Sequence, residues 1–293
     1  MPCDIVMNLE EQLKSLLDQL GYLNEYRPSP LERYLTFEQG GGEDKEVYVH
    51  GAEGDLYLLP LGDMHLGSKY FNRELFERYL NFIAETENCF TVLLGDQIEN
   101  ATKTSVGLGL FEEDLHLEDQ IELVYQLLLP IADKIWGIHE GNHEFRTAAL
   151  AGFRPLKIVA QRLGVPYLGY QGYHLVKAGE QVYHVFTAHN RGSGRTVPGK
   201  VRAAEDTDKI AVCDVYITGH SHIIHHHAKP IFYIDEVSRT VRERLRHYVV
   251  CGSFLNYWGS YAEKELLPPA AKGAPLIKFC SNKHEVIVSV KGE

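Results

Sequence analysis

Five apolar runs in this chain end alike, in a short polar step that carries a carboxylate, an amide or an imidazole. The run 56–61 leads into Gly62-Asp63-Met64-His65, the run 90–94 into Gly95-Asp96, and the run 134–138 towards Gly141-Asn142-His143-Glu144. The run 182–186 leads to His189, and 215–218 into Gly219-His220-Ser221-His222. Short apolar runs bounded by turn residues read as buried strands. The polar side chains therefore collect at strand carboxyl ends. On an extended backbone, residues two apart share a face, so Asp63 with His65 makes half of a metal site. A single such pair arises easily by chance, but repetition at successive strand ends points to one shared site.

The segments between these runs have helical spacing at 71–87, 118–132, 153–163 and 200–211, which makes strand–helix–strand units and hence parallel pairing with right-handed crossovers. Residues 173–177 and 181–187 flank Ala178-Gly179-Glu180 as a hairpin, and the remainder is β-rich, with strands expected at 223–234, 245–251, 276–280 and 285–290. A first strand is expected at 46–50. The implied fold is α/β, with two sheets packed face to face, helices outside and the ligand turns on one rim.

Ahead of this body, residues 8–20 carry leucines at amphipathic spacing, and 22–44 is rich in proline, glycine and charge. We read 1–44 as an N-terminal helix and linker, a candidate for homo-oligomer contacts, and 45–293 as the catalytic domain. The stretch 101–117 reads as an insert, a lid or an acidic loop.

With 29 basic against 40 acidic residues the formal charge is −11, which argues against broad binding to duplex nucleic acid. The five cysteines are scattered and odd in number, as for reduced buried thiols of a cytoplasmic protein. No run reaches the roughly 20 apolar residues of a membrane span, and the start lacks the pattern of a signal peptide.

Asp63, His65, Asp96, Asn142, His189, His220 and His222 form a mixed carboxylate, amide and imidazole set suited to Mn, Fe, Zn, Co or Ni. These are too many donors for one tetrahedral ion and about right for two divalent ions sharing a carboxylate. Such pairs, about 3.5–4 Å apart, serve in-line displacement at phosphorus. The expected chemistry is phosphoester hydrolysis.

The ordered set Asp63-x-His65, Gly95-Asp96, Gly141-Asn142-His143-Glu144, His189 and Gly219-His220-x-His222 resembles the signature of the calcineurin-like metallophosphoesterases, over residues 62–222. That resemblance implies a four-layered αββα sandwich. It implies a first ion, with manganese favoured, on Asp63, His65, Asp96 and His222, and a second on the bridging Asp96 with Asn142, His189 and His220. A hydroxide bridging the ions would attack phosphorus, and His143 would contact a phosphoryl oxygen or protonate the leaving group. Glu99 stands where related phosphatases carry an acid paired with that histidine, so a His143–Glu99 dyad is expected. The chain departs from those phosphatases at Asn100, where they carry a phosphate-clamping arginine. This favours a phosphodiester or nucleotide over a phosphomonoester.

Replacement cations are Arg146, or Arg191, Arg195, Lys200 and Arg202 after His189. His225-His226-His227 reads as a polar strand face rather than a third metal site. Tyr57, Tyr183, Tyr257 and Trp258 are candidates for base stacking, with 256–259 the aromatic loop to test. The rival readings are a single-strand nuclease, a phosphomonoesterase and a non-catalytic accessory subunit with a structural metal site.

Overall fold

Strand β2 (Leu56–Leu58) is shorter than the run that predicts it. Pro60 has no N–H to give to a ladder, although the residues on either side of it still reach the neighbouring run, Leu59 N–H to Phe90 O at 2.9 Å and Leu61 N–H to Val92 O at 3.0 Å. A computed structural model describes residues 45–102, 105, 113–190 and 196–290. The N-terminal helix expected at 8–20, the linker, most of the 101–117 insert, Arg191 and Arg195 lie outside the described residues. All described strands and helices belong to one compact unit, Glu46–Glu293.

The other strands are β1 (Tyr48–Ala52), β3 (Cys89–Leu93), β4 (Ile135–His139), β5 (Tyr167–Gly169), β6 (Gln171–Ala178), β7 (Gln181–Ala188), β8 (Val215–Thr218), β9 (His225–Asp235), β10 (Thr240–Val250), β11 (Leu276–Phe279) and β12 (Val286–Ser289). They form two six-stranded mixed sheets, ordered β1-β6-β7-β8-β10-β9 and β12-β11-β2-β3-β4-β5. Strands β2 to β5 run parallel, as do β7, β8 and β10. The architecture implied by the family resemblance, two sheets flanked by helices, is therefore the one observed. Residues from both sheets, among them Leu58, Val92, Val185 and Ile217, share one buried core.

Helices α1 (Arg73–Glu85), α2 (Leu117–Leu128) and α4 (Pro155–Leu163) serve the second sheet, α1 against β3 and α4 against β4 and β5, while α5 (Val197–Glu205) covers β8 and β10 of the first. Asn72 caps α1 by accepting from Leu75 N at 3.1 Å, and Lys134 Nζ donates to the carbonyls of Ile83, Ala84 and Thr86 at its other end. A short helix, α6 (Tyr261–Lys264), follows β10.

Three sequence expectations shift. Helix α3 (Asn142–Ala151) grows directly out of the motif that reads as a ligand turn. The helix expected at 200–211 ends at Glu205 and passes into a 3₁₀ turn. Strand β10 begins at Thr240 because it pairs with β9 along its whole length, although its first half shows no burial pattern that would announce it. Cys89, Cys213, Cys251 and Cys280 are buried and free. No described helix is long and apolar enough to cross a membrane.

Candidate metal centre

The turns that follow β2, β3 and β8 leave the extended conformation at the residues that matter. Asp63, His65, Asp96, His220 and His222 have φ of 53°, 51°, 50°, 67° and 51°. The same-face argument from an extended backbone is therefore corrected: these side chains converge through left-handed turns. Each such residue costs on the order of 1–3 kcal/mol and persists only where its surroundings over-determine it. Here Asp63 N donates to Gly95 O and His65 N to Asp96 O, both at 3.0 Å, and His220 N donates to Asp63 Oδ2 at 2.8 Å. The glycine before Asn142 is dictated by this crowding, since a Cβ on Gly141 would overlap Asp96 Oδ1 and Asp96 N.

Two clusters result. In the first, His65 Nε2 and His222 Nε2 lie 3.2 Å apart, and Asp63 Oδ1 is 3.2 Å from His222 Nε2. His65 Nδ1 is 3.0 Å from Glu99 Oε2 and donates to it, so Nε2 faces inward without its proton when the ring is neutral. In the second, His189 Nε2 lies 3.0 Å from Asn142 Oδ1, 3.2 Å from His220 Nδ1 and 3.4 Å from Asp96 Oδ2. His189 Nδ1 donates to Leu94 O at 2.7 Å, which again turns Nε2 inward. Asp96 Oδ2 is also 4.0 Å from His65 Nε2, so one carboxylate oxygen stands between the clusters. Among the described residues, the donor atoms of Asp63, His65 and His222, and those of Asp96, His189 and His220, converge closely enough to hold an ion.

The electrostatics fit a cation. Asp63 Oδ1 is buried and receives no hydrogen bond. Burial alone would lower the pKa of His65 and His189, yet the Glu99 hydrogen bond raises the first to about 9 and Asp96 raises the second to about 10. Burial opposes ionisation of Asp96 too, but His189 holds its carboxyl well below the usual range. The centre draws positive charge, which protons or divalent ions can supply.

His143 sits at the rim. Its backbone N donates to Asp96 Oδ1 at 2.8 Å, and its Nδ1 donates to the Glu99 carbonyl oxygen at 2.7 Å. The Glu99 carboxylate is 3.7 Å from His143 Nδ1 but 3.0 Å from His65 Nδ1. Glu99 thus orients His143 through its peptide oxygen, and its carboxylate serves His65. Burial, with further help from His65 and Arg146, lowers the His143 pKa to about 4 against the pull of Asp96. Arg146 donates to His143 Nε2 at 3.0 Å and to Glu99 O at 3.1 Å. Asn100 is turned away from the rim: its Nδ2 donates to His143 O at 2.6 Å and its Oδ1 accepts from Thr147 at 2.7 Å, which ties α3 to the loop after β3.

Glu144 is the residue that sequence reasoning missed. It is fully buried and accepts from Asp96 N at 3.0 Å, Ile98 N at 3.1 Å and Gly141 N at 2.8 Å, so it clamps two of the ligand turns. Burial and then Asp96 raise its pKa to about 7. Its place in Gly141-Asn142-His143-Glu144, third in the first helical turn, was the available signal.

Of the remaining candidates, Lys200 Nζ donates to Ser221 O at 2.8 Å, beside the His220 and His222 turn, and Arg202 is exposed on α5. The histidine tract divides, His226 pairing with His247 at 3.1 Å and His227 with Glu205 at 2.9 Å. Tyr183 is fully buried with its hydroxyl on Cys280 O, which removes it as a stacking surface. Tyr57 lies under Lys278, Tyr257 donates to Leu267 O, and Trp258 is exposed.

No protein-family model matches the sequence, and no curated protein does. Among solved structures, the chain is similar to a predicted phosphoesterase from Streptococcus pneumoniae TIGR4 at 11% identity and a TM-score of 0.36, over 83% of this chain and 94% of that one. It is similar to Vacuolar Protein Sorting 29 from Cryptosporidium parvum at 15% identity and a TM-score of 0.40, over 82% of this chain and 100% of that one. A third similar structure is Vps29 complexed with zinc from Entamoeba histolytica, at 13% identity and a TM-score of 0.39, over 80% and 97% of the two chains.

Proposed function

We propose that this chain is a dinuclear metal-dependent phosphoester hydrolase of the calcineurin-like kind, acting on a phosphodiester or nucleotide. The observation that carries the proposal is the position of Asp96 Oδ2, 4.0 Å from His65 Nε2 in one cluster and 3.4 Å from His189 Nε2 in the other. Asp63, His65, Asp96 and His222 would hold one ion, and Asp96, Asn142, His189 and His220 the second. The mixed donor set suits borderline divalent metals, with manganese favoured. When bound, two such ions lower the pKa of water and stabilise charge developing at phosphorus.

The chain's own residues supply positioning and proton transfer. His65 and His189 are presented in one orientation by Glu99 and the Leu94 carbonyl, and Glu144 holds the turns that carry Asp96 and Asn142. With its Nδ1 proton on the Glu99 carbonyl, His143 exchanges a proton only at Nε2, which faces Asp96 Oδ2 at 3.9 Å. Arg146 is the nearest guanidinium, and a phosphoryl oxygen entering beside His143 would take over its donor. Since Asn100 is committed to α3, Arg146 acts without an arginine there, which suits the single charge of a diester better than the double charge of a monoester. The four buried free thiols suit a reducing compartment, and the cytoplasm is the proposed location.

Protein supplied with Mn²⁺ should hydrolyse bis-p-nitrophenyl phosphate faster than p-nitrophenyl phosphate, and Asp96→Ala should lower that diester turnover by about a thousandfold. Nicking of single-stranded DNA would instead indicate a nuclease. Failure to turn over any of the three with metal bound would indicate an accessory subunit and overturn the proposal.

A further inference from the structure

Two exposed aromatic residues lie on segments that adjoin the carriers of Asn142 and His189 in the second cluster. Phe145 is on α3, three residues after Asn142, so the two lie on one face of the helix. A helical side chain leans towards the helix N-terminus, which here is the end that carries Asn142. Tyr170 is the single residue between β5 and β6. In the β6–β7 register Gln171 lies opposite Ala188, so one step further Tyr170 falls alongside His189. Asn142 Oδ1 and His189 Nε2 are themselves 3.0 Å apart. The two aromatic rings meet edge to face with centroids 6.3 Å apart, yet Phe145 remains 42% exposed and Tyr170 52%. The Arg154 guanidinium lies 5.8 Å from the Tyr170 centroid and is paired with buried Glu140.

Resting on the hydrolytic reading above, we infer that Phe145 and Tyr170 form a stacking shelf for a nucleobase, and that the substrate is a nucleoside phosphoester. The geometry is directional. Arg146 and His143 occupy the polar side of the centre, next to Glu99, whereas Phe145 and Tyr170 occupy the side of Asn142 and His189. A phosphoester spanning the centre would put its leaving group towards His143 and its other substituent over the aromatic pair. A planar base fits that surface because every base has a π-face to stack, and the exposed rings are already ordered by Arg154 and by each other. A small alkyl substituent would leave the shelf uncovered. This assigns base contact to the 145 and 170 rings rather than to the 256–259 loop.

The test compares two diesters with the same leaving group, thymidine 5′-(p-nitrophenyl phosphate) and ethyl p-nitrophenyl phosphate, with Mn²⁺-loaded full-length protein. Wild type should favour the nucleoside ester in kcat/KM by on the order of tenfold, from the strength of base–aromatic stacking. In Phe145→Ala/Tyr170→Ala that quotient should fall towards one, mostly through KM, while Phe145→Tyr/Tyr170→Phe should retain it. In parallel, calorimetric titration with AMP and with ribose 5-phosphate reads the shelf without turnover, and AMP should bind about tenfold more tightly in wild type only. If wild type cleaves neither ester but keeps the AMP preference, the hydrolytic reading fails and the shelf stands. Equal binding of the two ligands, or a preference undiminished in the double alanine variant, overturns the shelf.

Discussion

At the strand tips, His65 and His189 face carboxylates; between the sheets, His50, His139 and His174 face one another, Trp136 and Thr187. The inner set forms a directed chain of hydrogen bonds. His139 Nδ1 donates to Gly169 O at 3.0 Å, so its Nε2 accepts from Thr187 Oγ1 at 2.7 Å. His174 Nε2 donates to the same hydroxyl at 2.9 Å, and its Nδ1 accepts from His50 Nε2 at 3.0 Å. His50 stacks on Trp136 with centroids 4.1 Å apart. Burial lowers His50 to about 4 and His174 well below the ordinary imidazole value. Both sets are imidazoles on strands or strand ends, and both are largely shielded from water. What separates a candidate ligand from a strut is the charge of the neighbours. Carboxylates make the first set a place for cations, and uncharged partners make the second set a neutral brace between β4, β6 and β7.

The largest expected effect breaks the outer set at its shared point. Asp96→Ala should lower diester turnover by about a thousandfold and remove both ions from metal analysis, since one carboxylate serves both clusters. Retained metal-dependent turnover in that variant would leave the comparison without a basis. Next, His143→Ala should lower kcat by roughly a hundredfold with both ions still bound, because the proposed mechanism gives His143 a proton-transfer role and does not count it among the ligands. Loss of metal from His143→Ala would place it among the ligands instead.

A smaller effect sharpens the contrast inside the centre. Glu99→Gln removes the carboxylate behind His65 but leaves the carbonyl behind His189, so titration should show one ion weakened by about 10–100-fold and the other unaffected. Equal weakening of both would show that Glu99 acts on the centre as a whole.

The smallest effect is on stability, and it opposes the two sets by sign. His50 and His174 titrate below their unfolded value, so the unfolded chain takes up protons that the folded chain refuses as pH falls below about 6.5. Their contribution is complete above that pH and declines by about 1.4 kcal/mol per pH unit per group down towards the folded values. His65 and His189 are raised, so in metal-free protein their contribution is present below about 6.5 and declines as pH rises towards 9 and 10. Urea denaturation across pH should therefore show an acid limb flattened by His50→Gln and an alkaline limb abolished by added Mn²⁺. An acid limb unchanged in His50→Gln would remove the inner set from the account.

Much of the centre was legible because its chemistry needs rare residue types at strand ends, and strand ends are marked by where apolar runs stop. The partner of the Glu99 carboxylate was not legible. Glu99 lies within reach of both His65 and His143, and only the turn after Asp96 decides that its carboxylate meets the first and its carbonyl the second. Asn100 read as a missing clamp, whereas its amide is committed to α3 and Thr147. Glu144 was hidden for a related reason: a buried acid that accepts backbone N–H groups looks like any first-turn glutamate until the turns it joins are assembled.

Pattern and composition alone determined the alternation of strands and helices, the two-sheet architecture and the donor types gathered on one rim, because periodic burial and side-chain chemistry are properties of the linear chain. The left-handed turns at Asp63, His65, Asp96, His220 and His222, the placing of Asp96 between two clusters and the division of the histidines into outer and inner sets were decided by the tertiary structure. Those features depend on contacts across about 30 to 160 positions of sequence: pairing of β2 with β3 brings His65 to Glu99, and packing of the two sheets brings His65 to His222.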